Sequence, residues 1–336
     1  MDPLGIALVG AGVIGRIHAR NLAAREDAEL AWIVEVDEPR GRALAAEFGG
    51  RWTPSLAEAL ADPRVGAVVV GSSTDVHEEH VLACAKARKA IYCEKPVADS
   101  LEGARRCLDA VRAAGVVAAI GFNRRFDVHH REVHDRVRAG EIGAVELLHL
   151  VSRSSAAPPA AAAARAGGMI REKGTHHYDL ACWLAGSEPV EVYGSGGCLF
   201  DPEYARYGDV DTAVLVLRFA SGARASFSFS RRTAYGFDET IEVFGAGGML
   251  QSTRLRERGV ALYQGPRIVG SGIHPGWYER FAPTYVAALD AFCAAVRGGA
   301  PMSPDLVDGV RAQAVAEAAR ESIERGTAVA IRDIWT

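Results

Sequence analysis

The sequence predicts two domains of different class: a doubly wound parallel α/β domain over residues 1–121, then an α+β domain with an open antiparallel sheet over residues 122–336. Up to Gly121, short apolar runs alternate with helix-length stretches, the pattern of parallel strands joined by helical crossovers. Beyond it, 214–219 and 223–229 alternate in hydropathy across a Ser221-Gly222 turn, as a half-buried antiparallel hairpin does. The length of 336 residues also exceeds the ~100–200 usual for one domain.

Each element has its own signal. Residues 4–9 form an apolar strand, followed by Gly10-Ala11-Gly12-Val13-Ile14-Gly15 and a helix through Leu22. A second strand, 30–34, ends in Glu35. Pro39 suits a first helical position, and that helix runs to Phe48 before Gly49-Gly50. Residues 67–70 and 90–93 are strands with a helix over 80–89 between them. A helix over 100–114 stops at Gly115, and 116–120 is a fifth strand. In the second domain Ile241 and Val243 continue the strand pattern before Gly245-Ala246-Gly247-Gly248. Helices follow over 285–296 and from Ser303, an N-cap with Pro304 in the first turn. The Ala-rich stretch 156–166, interrupted by Pro158-Pro159, reads as an irregular link.

Composition narrows the function classes. Hydrophobic residues at 49% and charged residues at 24% are globular values, and a net charge of −4 gives no basic excess for a nucleic-acid backbone or an anionic membrane. The apolar run after Met1 is too short for a signal peptide or a membrane span, so the expectation is a soluble cytoplasmic protein. Six scattered cysteines without a C-x-x-C pair predict reduced thiols and no metal cluster. Of 38 basic side chains only Lys86, Lys89, Lys95 and Lys173 are lysine. An ammonium can give up a proton where a guanidinium effectively cannot, so each lysine is a candidate for chemistry.

The glycine loop carries the first chemical signal. Gly10 permits a tight turn, Gly12 lets backbone approach a pyrophosphate, and Gly15 lets helix and sheet pack closely. Glu35 ends the next strand about twenty residues on, where a carboxylate accepts ribose hydroxyls. A 2′-phosphate ~4 Å away would be opposed by about 4 kcal/mol. Asp37 adds negative charge and Arg40 could offset it, so NAD is favoured and NADP possible.

Glu94-Lys95-Pro96 follows a parallel strand at the edge where open α/β sheets place ligands. In the segment 167–179, Glu172, His176 and Asp179 share one face if it is helical. A carboxylate beside an imidazole makes a general base. The same spacing fits an acidic helix start with a satisfied buried histidine, and spacing alone leaves both open. Lys173 is expected to approach a substrate or cofactor pocket rather than solvent. Tyr178 and Trp183 read as packing residues, and His129-His130-Arg131-Glu132-Val133-His134 as a solvated helix face, since its glutamate stands one place off the H-E-x-x-H metal pattern.

Taken in order, Gly10 to Gly15, Glu94-Lys95-Pro96, Gly121-Phe122-Asn123-Arg124-Arg125-Phe126, Gly168 to Asp179, Ser230 to Gly236 and Glu242-Val243-Phe244-Gly245 resemble the Gfo/Idh/MocA oxidoreductases over essentially the whole chain. The 120s and 230s segments are most similar to inositol 2-dehydrogenases. The resemblance implies a Rossmann domain, an open antiparallel sheet used for substrate and subunit contacts, and a homotetramer or homodimer. It implies cofactor contacts from Gly10, Gly12, Val13, Ile14, Gly15, Glu35, Ser73, Thr74, Glu94 and Lys95. It further implies that Lys95 hydrogen-bonds the reacting hydroxyl, that His176 is the acid–base residue with Glu172 beside it, and that Arg125 and Tyr235 line the polyol pocket. The chain departs from the family pattern at Glu172, where Asp is commoner, at Ser154-Ser155 and at His177.

The resulting expectation is NAD-dependent oxidation of a secondary hydroxyl on an inositol or pyranose, with His176 as base and Lys95 stabilising the alkoxide, or the reverse division. An NAD-using glycoside hydrolase of the same family and a non-enzymatic dinucleotide-binding sensor are the alternatives.

Overall fold

In the computed structural model, which describes residues 2–299 and 301–332, the chain divides into two compact units. The first comprises the residues up to Asn123 together with Pro283–Gln313. Its elements run β1 (Leu4–Val9), α1 (Val13–Ala23), β2 (Ala28–Val34), α2 (Glu38–Phe48), β3 (Arg51–Thr53), α3 (Leu56–Ala61), β4 (Val65–Val70), α4 (His77–Lys86), β5 (Ala90–Cys93), α5 (Leu101–Ala114) and β6 (Ala118–Ile120). The strands form one parallel sheet in the order β3-β2-β1-β4-β5-β6. This is the order of a dinucleotide-binding fold, and the reversal beside β1 opens a crevice at the carboxyl ends of the strands. Caps set the helix limits: Asp37 accepts from Arg40 N at 3.0 Å, Ser100 accepts from Gly103 N at 3.0 Å, and Gly115 closes α5 in the left-handed region. Sequence reading passed over β3 and α3, three and six residues long, because neither is long enough to show a period.

The second unit comprises Arg124–Ala282 and the chain from Ala314. It contains α6 (Val128–Arg138), β7 (Val145–Arg153), α7 (Ala160–Arg165), α8 (Gly174–Ala185), β8 (Pro189–Gly197), β9 (Thr212–Phe219), β10 (Arg224–Ser230), β11 (Asp238–Gly245), β12 (Gly248–Ser252) and a separate hairpin, β13 (Ala261–Gln264) and β14 (Arg267–Gly270). The main sheet runs β12-β11-β7-β10-β9-β8-β15, where β15 is Val329–Ala330. Every pairing is antiparallel except β7 with β10. Alternation puts Leu215, Leu217, Phe227, Phe229, Ile241 and Val243 on a buried face. There α8 packs, with the Tyr178 ring edge-on to Phe227 at 5.3 Å.

Two long helices complete the chain: α9 (Trp277–Gly298) and α10 (Leu306–Arg325). The sequence reading assigned all of 122–336 to one domain, but Pro283–Gln313 packs with the first unit. Phe292 lies edge-on to Tyr92 at 5.7 Å, and Ile120 N donates to Pro304 O at 3.2 Å. Three local expectations are corrected. The Ala-rich link holds a helix, α7, which begins immediately after Pro159. The last long helix starts at Leu306, capped by Asp305 accepting from Val307 N at 2.8 Å, rather than at Ser303. His130 is fully buried beside Phe281 instead of solvated, and His134 stacks on Trp183 at 3.8 Å.

Truncating Phe227 to alanine should cost ~3–5 kcal/mol by removing the ring on which Tyr178 rests. Chemical denaturation followed by circular dichroism should show the transition moving to lower denaturant.

Candidate active site

In the first unit the site grows from the loop after β1. Gly10 has φ +95°, and a Cβ there would meet Gly71 O at 2.6 Å. A Cβ on Gly15 would lie 2.0 Å from Gly10 O, so only hydrogen allows α1 to close on the loop. Gly12 faces open space, and as N-cap it gives α1 no side-chain acceptor. Val13, 72% exposed, and Ile14 follow it. The first N–H groups of α1 are thus left for an anion, the cradle a pyrophosphate requires. Glu35 is buried at the end of β2, where Oε2 accepts from Ala11 N at 2.8 Å and Oε1 from Asp37 N at 3.0 Å. Arg40 pairs with Asp37 at 3.1 Å, so the cation that could offset a 2′-phosphate is already engaged. Ser73 and Thr74 open a 3₁₀ turn after β4. These residues fit an NAD.

Lys95 is half-buried beyond β5, on a loop held by two histidines that sequence reading did not single out. His18 Nε2 lies 2.8 Å from Glu94 Oε1, both buried. The two ring nitrogens of His77 face Pro96 O at 2.8 Å and Ser72 O at 3.0 Å. Gly121 borders this carboxylate, since a Cβ there would come within 2.6 Å of Glu94 Oε2. Neither histidine carries a local signal: the partner of His18 is 76 residues away.

In the second unit Gly167 and Gly168 take positive φ and lead into a π-helical turn, Met169–Lys173, that runs directly into α8. Asp209 fixes the start of that turn by accepting from Met169 N at 2.8 Å, and Arg231 binds Asp209 at 2.9 Å. π-turns inside helices are rare and recur at functional positions. Glu172 is half-buried on the turn and His176 is buried at 7% exposure in the first turn of α8. Asp179, which spacing grouped with them, is the partner of Arg125: Nε donates to Oδ2 at 2.9 Å and Nη2 to Oδ1. Arg125 therefore braces the segment before α6 against α8. Tyr235 is half exposed, its hydroxyl donating to Asp238 at 2.6 Å and accepting from Arg153 at 3.1 Å.

Behind the turn lies a buried charged cluster. Lys173 Nζ donates to Ser152 O at 3.1 Å, Ser154 Oγ at 2.9 Å and Ser230 O at 2.9 Å, away from solvent. His177 Nδ1 faces Lys173 O at 3.1 Å and its Nε2 lies 3.3 Å from Glu239, which also pairs with Arg124 at 3.3 Å. Burial alone would raise the Glu239 carboxyl, but Arg124 and His177 outweigh it and hold the group well below the ordinary carboxylate range. Glu239 too was missed by sequence reading.

Both units resemble known proteins. An oxidoreductase family model with an NAD-binding Rossmann fold matches residues 4–122, and the GFO/IDH/MocA C-terminal domain model matches residues 130–251. A myo-inositol 2-dehydrogenase of Thermotoga maritima is 38% identical, the match covering 98% of this chain and 99% of the relative. An inositol 2-dehydrogenase of Rhizobium meliloti is 35% identical, with 96% and 98% covered. The crystal structure of a probable dehydrogenase from Thermotoga maritima superposes with a TM-score of 0.94 at 38% identity, covering 98% and 99% of the two chains.

Because the Glu35 carboxylate lies against the glycine loop, kcat/KM is expected to be higher with NAD than with NADP. Glu35→Ser should narrow the ratio by about tenfold or more, as loss of ~1.4 kcal/mol of repulsion would. Initial rates with both cofactors provide the check.

Proposed function

Because the chain belongs to the Gfo/Idh/MocA oxidoreductases, a family with an NAD-binding Rossmann domain, we propose that it oxidises a secondary hydroxyl of a cyclic polyol or sugar, inositols first among them, with NAD as hydride acceptor. The observation that carries this reading is the half-buried Lys95, fixed at the carboxyl edge of a dinucleotide-binding sheet by buried partners on both sides of its loop. Near-full-length similarity to relatives named for inositol oxidation supports the substrate class.

A secondary alcohol is too weak an acid to ionise at pH 7, so a base must take its proton as the hydride leaves. His176 takes that proton. Glu172 orients the ring and favours its charged form. The Lys95 ammonium stabilises the negative charge developing on the substrate oxygen. Gly10, Gly12, Val13, Ile14 and Gly15 would hold the pyrophosphate, Glu35 the ribose, and Ser73, Thr74 and Glu94 would complete the cofactor contacts. Tyr235 offers a polar aromatic wall to the polyol, and Arg125 acts on it through the braced α8.

The assembly is proposed to be a homodimer or homotetramer joined through the sheet's outer face. There Leu147, Val214, Val216, Phe244 and Met249 are all at least 40% exposed, and Leu147, Val216 and Phe244 line a hollow of about 430 Å³. No described helix is long and apolar enough to cross a membrane. All six cysteines are free and five are buried, which suits the reducing cytoplasm.

A panel of inositols and pyranoses followed by NADH absorbance tests the reaction. Accumulating NADH supports a dehydrogenase, aglycone release without net NADH a hydrolase, and neither a sensor. His176→Ala should lower kcat by roughly 10²–10⁴ with NAD affinity nearly unchanged. Lys95→Arg should be severely impaired although charge is kept, because a planar fork does not fill the ammonium's place. If His176→Ala keeps its kcat while Lys95→Ala abolishes the ascending limb of the pH profile, Lys95 is the base.

A further inference from the structure

Lys173 stands between Glu172 and Gly174 in a chain that writes almost every cation as arginine, and the reaction outlined above does not use it. Its side chain is buried at 8% exposure and all three of its hydrogen bonds end on the sheet: the Ser152 carbonyl of β7, the Ser154 hydroxyl just beyond it, and the Ser230 carbonyl that ends β10. These two strands are the parallel pair of the sheet, so one nitrogen gathers both strand ends. Its backbone carbonyl is held from the other side by His177, whose ring is in turn held by Glu239. Residue 173 is thus fixed through side chain and main chain at the junction where the π-helical turn becomes α8.

We propose that Lys173 is a positioning residue for the acid–base pair, tying the turn that carries Glu172 and the helix start that carries His176 to the ends of β7 and β10. This rests on the reading of His176 and Glu172 as that pair. Dispersed over a mobile turn, two side chains one helical turn apart would sample many separations; displacement of about 1 Å is enough to cost ~10²-fold in rate. A neutral hydrophobe of the same length would take a donor from both carbonyls, leaving Ser230 O with Ser154 N at 3.0 Å, and would leave the turn untethered.

The tether also survives a change of charge. An ammonium donates to all three oxygens, whereas an amine donates to the two carbonyls and accepts from the Ser154 hydroxyl, which rotates to suit. Burial lowers the lysine to a pKa of about 7; Glu172 on its own turn and Glu239 from β11 act to raise it, and Arg231 beyond β10 and Arg124 before α6 to lower it further. Burial thus brings loss of the lysine proton towards neutrality, and while Lys173 keeps its charge beside Glu172 it disfavours a second cation at His176.

The test compares Lys173→Met, His176→Ala and the double variant in the full-length protein. For Lys173→Met, kcat should fall ~10–100-fold, with NAD affinity by fluorescence titration within about twofold and the ascending limb of the pH profile moved to higher pH. In the His176→Ala background the same change should remove little more, since both act through one group. Full kcat in Lys173→Met beside an impaired His176→Ala would overturn the role of Lys173 alone, as would an additive loss with an unmoved limb. Full kcat in His176→Ala would instead overturn the acid–base reading, and the positioning role with it. Should Lys173→Met fail to fold, Ser154→Ala removes one acceptor only. It should lower kcat a few-fold and shift the same limb, and unchanged kcat with an unmoved limb there would likewise overturn the proposal.

Discussion

Several buried carboxylates are met by one specific partner, and that constraint arranges much of what surrounds the candidate site. Leaving one ion of a buried pair alone costs ~3–5 kcal/mol, so a loop that carries one member can settle only where the other waits. Glu94 settles on His18, and with it comes the strand end that presents Lys95. Asp179 settles on Arg125, which draws α8 to the segment before α6. Asp209 settles on Arg231 and caps the π-turn, while Glu239 collects Arg124 and His177. None of these pairs is needed to fill the core. Each selects one position for a segment that apolar packing would leave free to slide.

The regular parts of the fold were legible because they repeat. Residues 4–9 and 90–93 announce themselves as apolar runs, and the hairpin of β9 and β10 by strict alternation with a Ser-Gly turn. The glycine loop was legible because each glycine answers to a separate steric demand. What escaped is short or non-local. β3 pairs only at the sheet edge through three residues, and α7 follows two prolines that normally end a pattern rather than begin one. The return of Pro283–Gln313 to the first unit has no local mark, since its helix α9 is continuous through the change.

The candidate site divides in the same way. Lys95, His176 and Glu172 could be picked out by residue type and spacing, and Lys173 by its rarity. The grouping of Asp179 with His176 followed from helical spacing, yet Arg125 is its partner, because a guanidinium fork matches both oxygens of a carboxylate and fixes their plane. His18, His77 and Glu239 were invisible. A histidine that holds a loop looks, in one dimension, like any histidine on a helix; only the fold supplies the acceptor it faces.

The return of the chain has a consequence for biosynthesis. A ribosome releases residues in order at ~5–20 per second, and leading domains ordinarily fold while the rest is still being made. Here Tyr92 meets Phe292, the Ala98 carbonyl takes the side chain of Gln313, and Ile120 takes the carbonyl of Pro304. The nucleotide-binding half therefore stays unfinished until nearly the whole polypeptide has emerged, with the apolar surface meant for α9 uncovered throughout. Nascent chains of this topology are a natural burden on chaperones. For the same reason a fragment cut at the apparent end of the first domain would be a poor stand-in for it, and the second unit is no simple insert either, since the chain leaves it before Pro283 and rejoins it at Ala314.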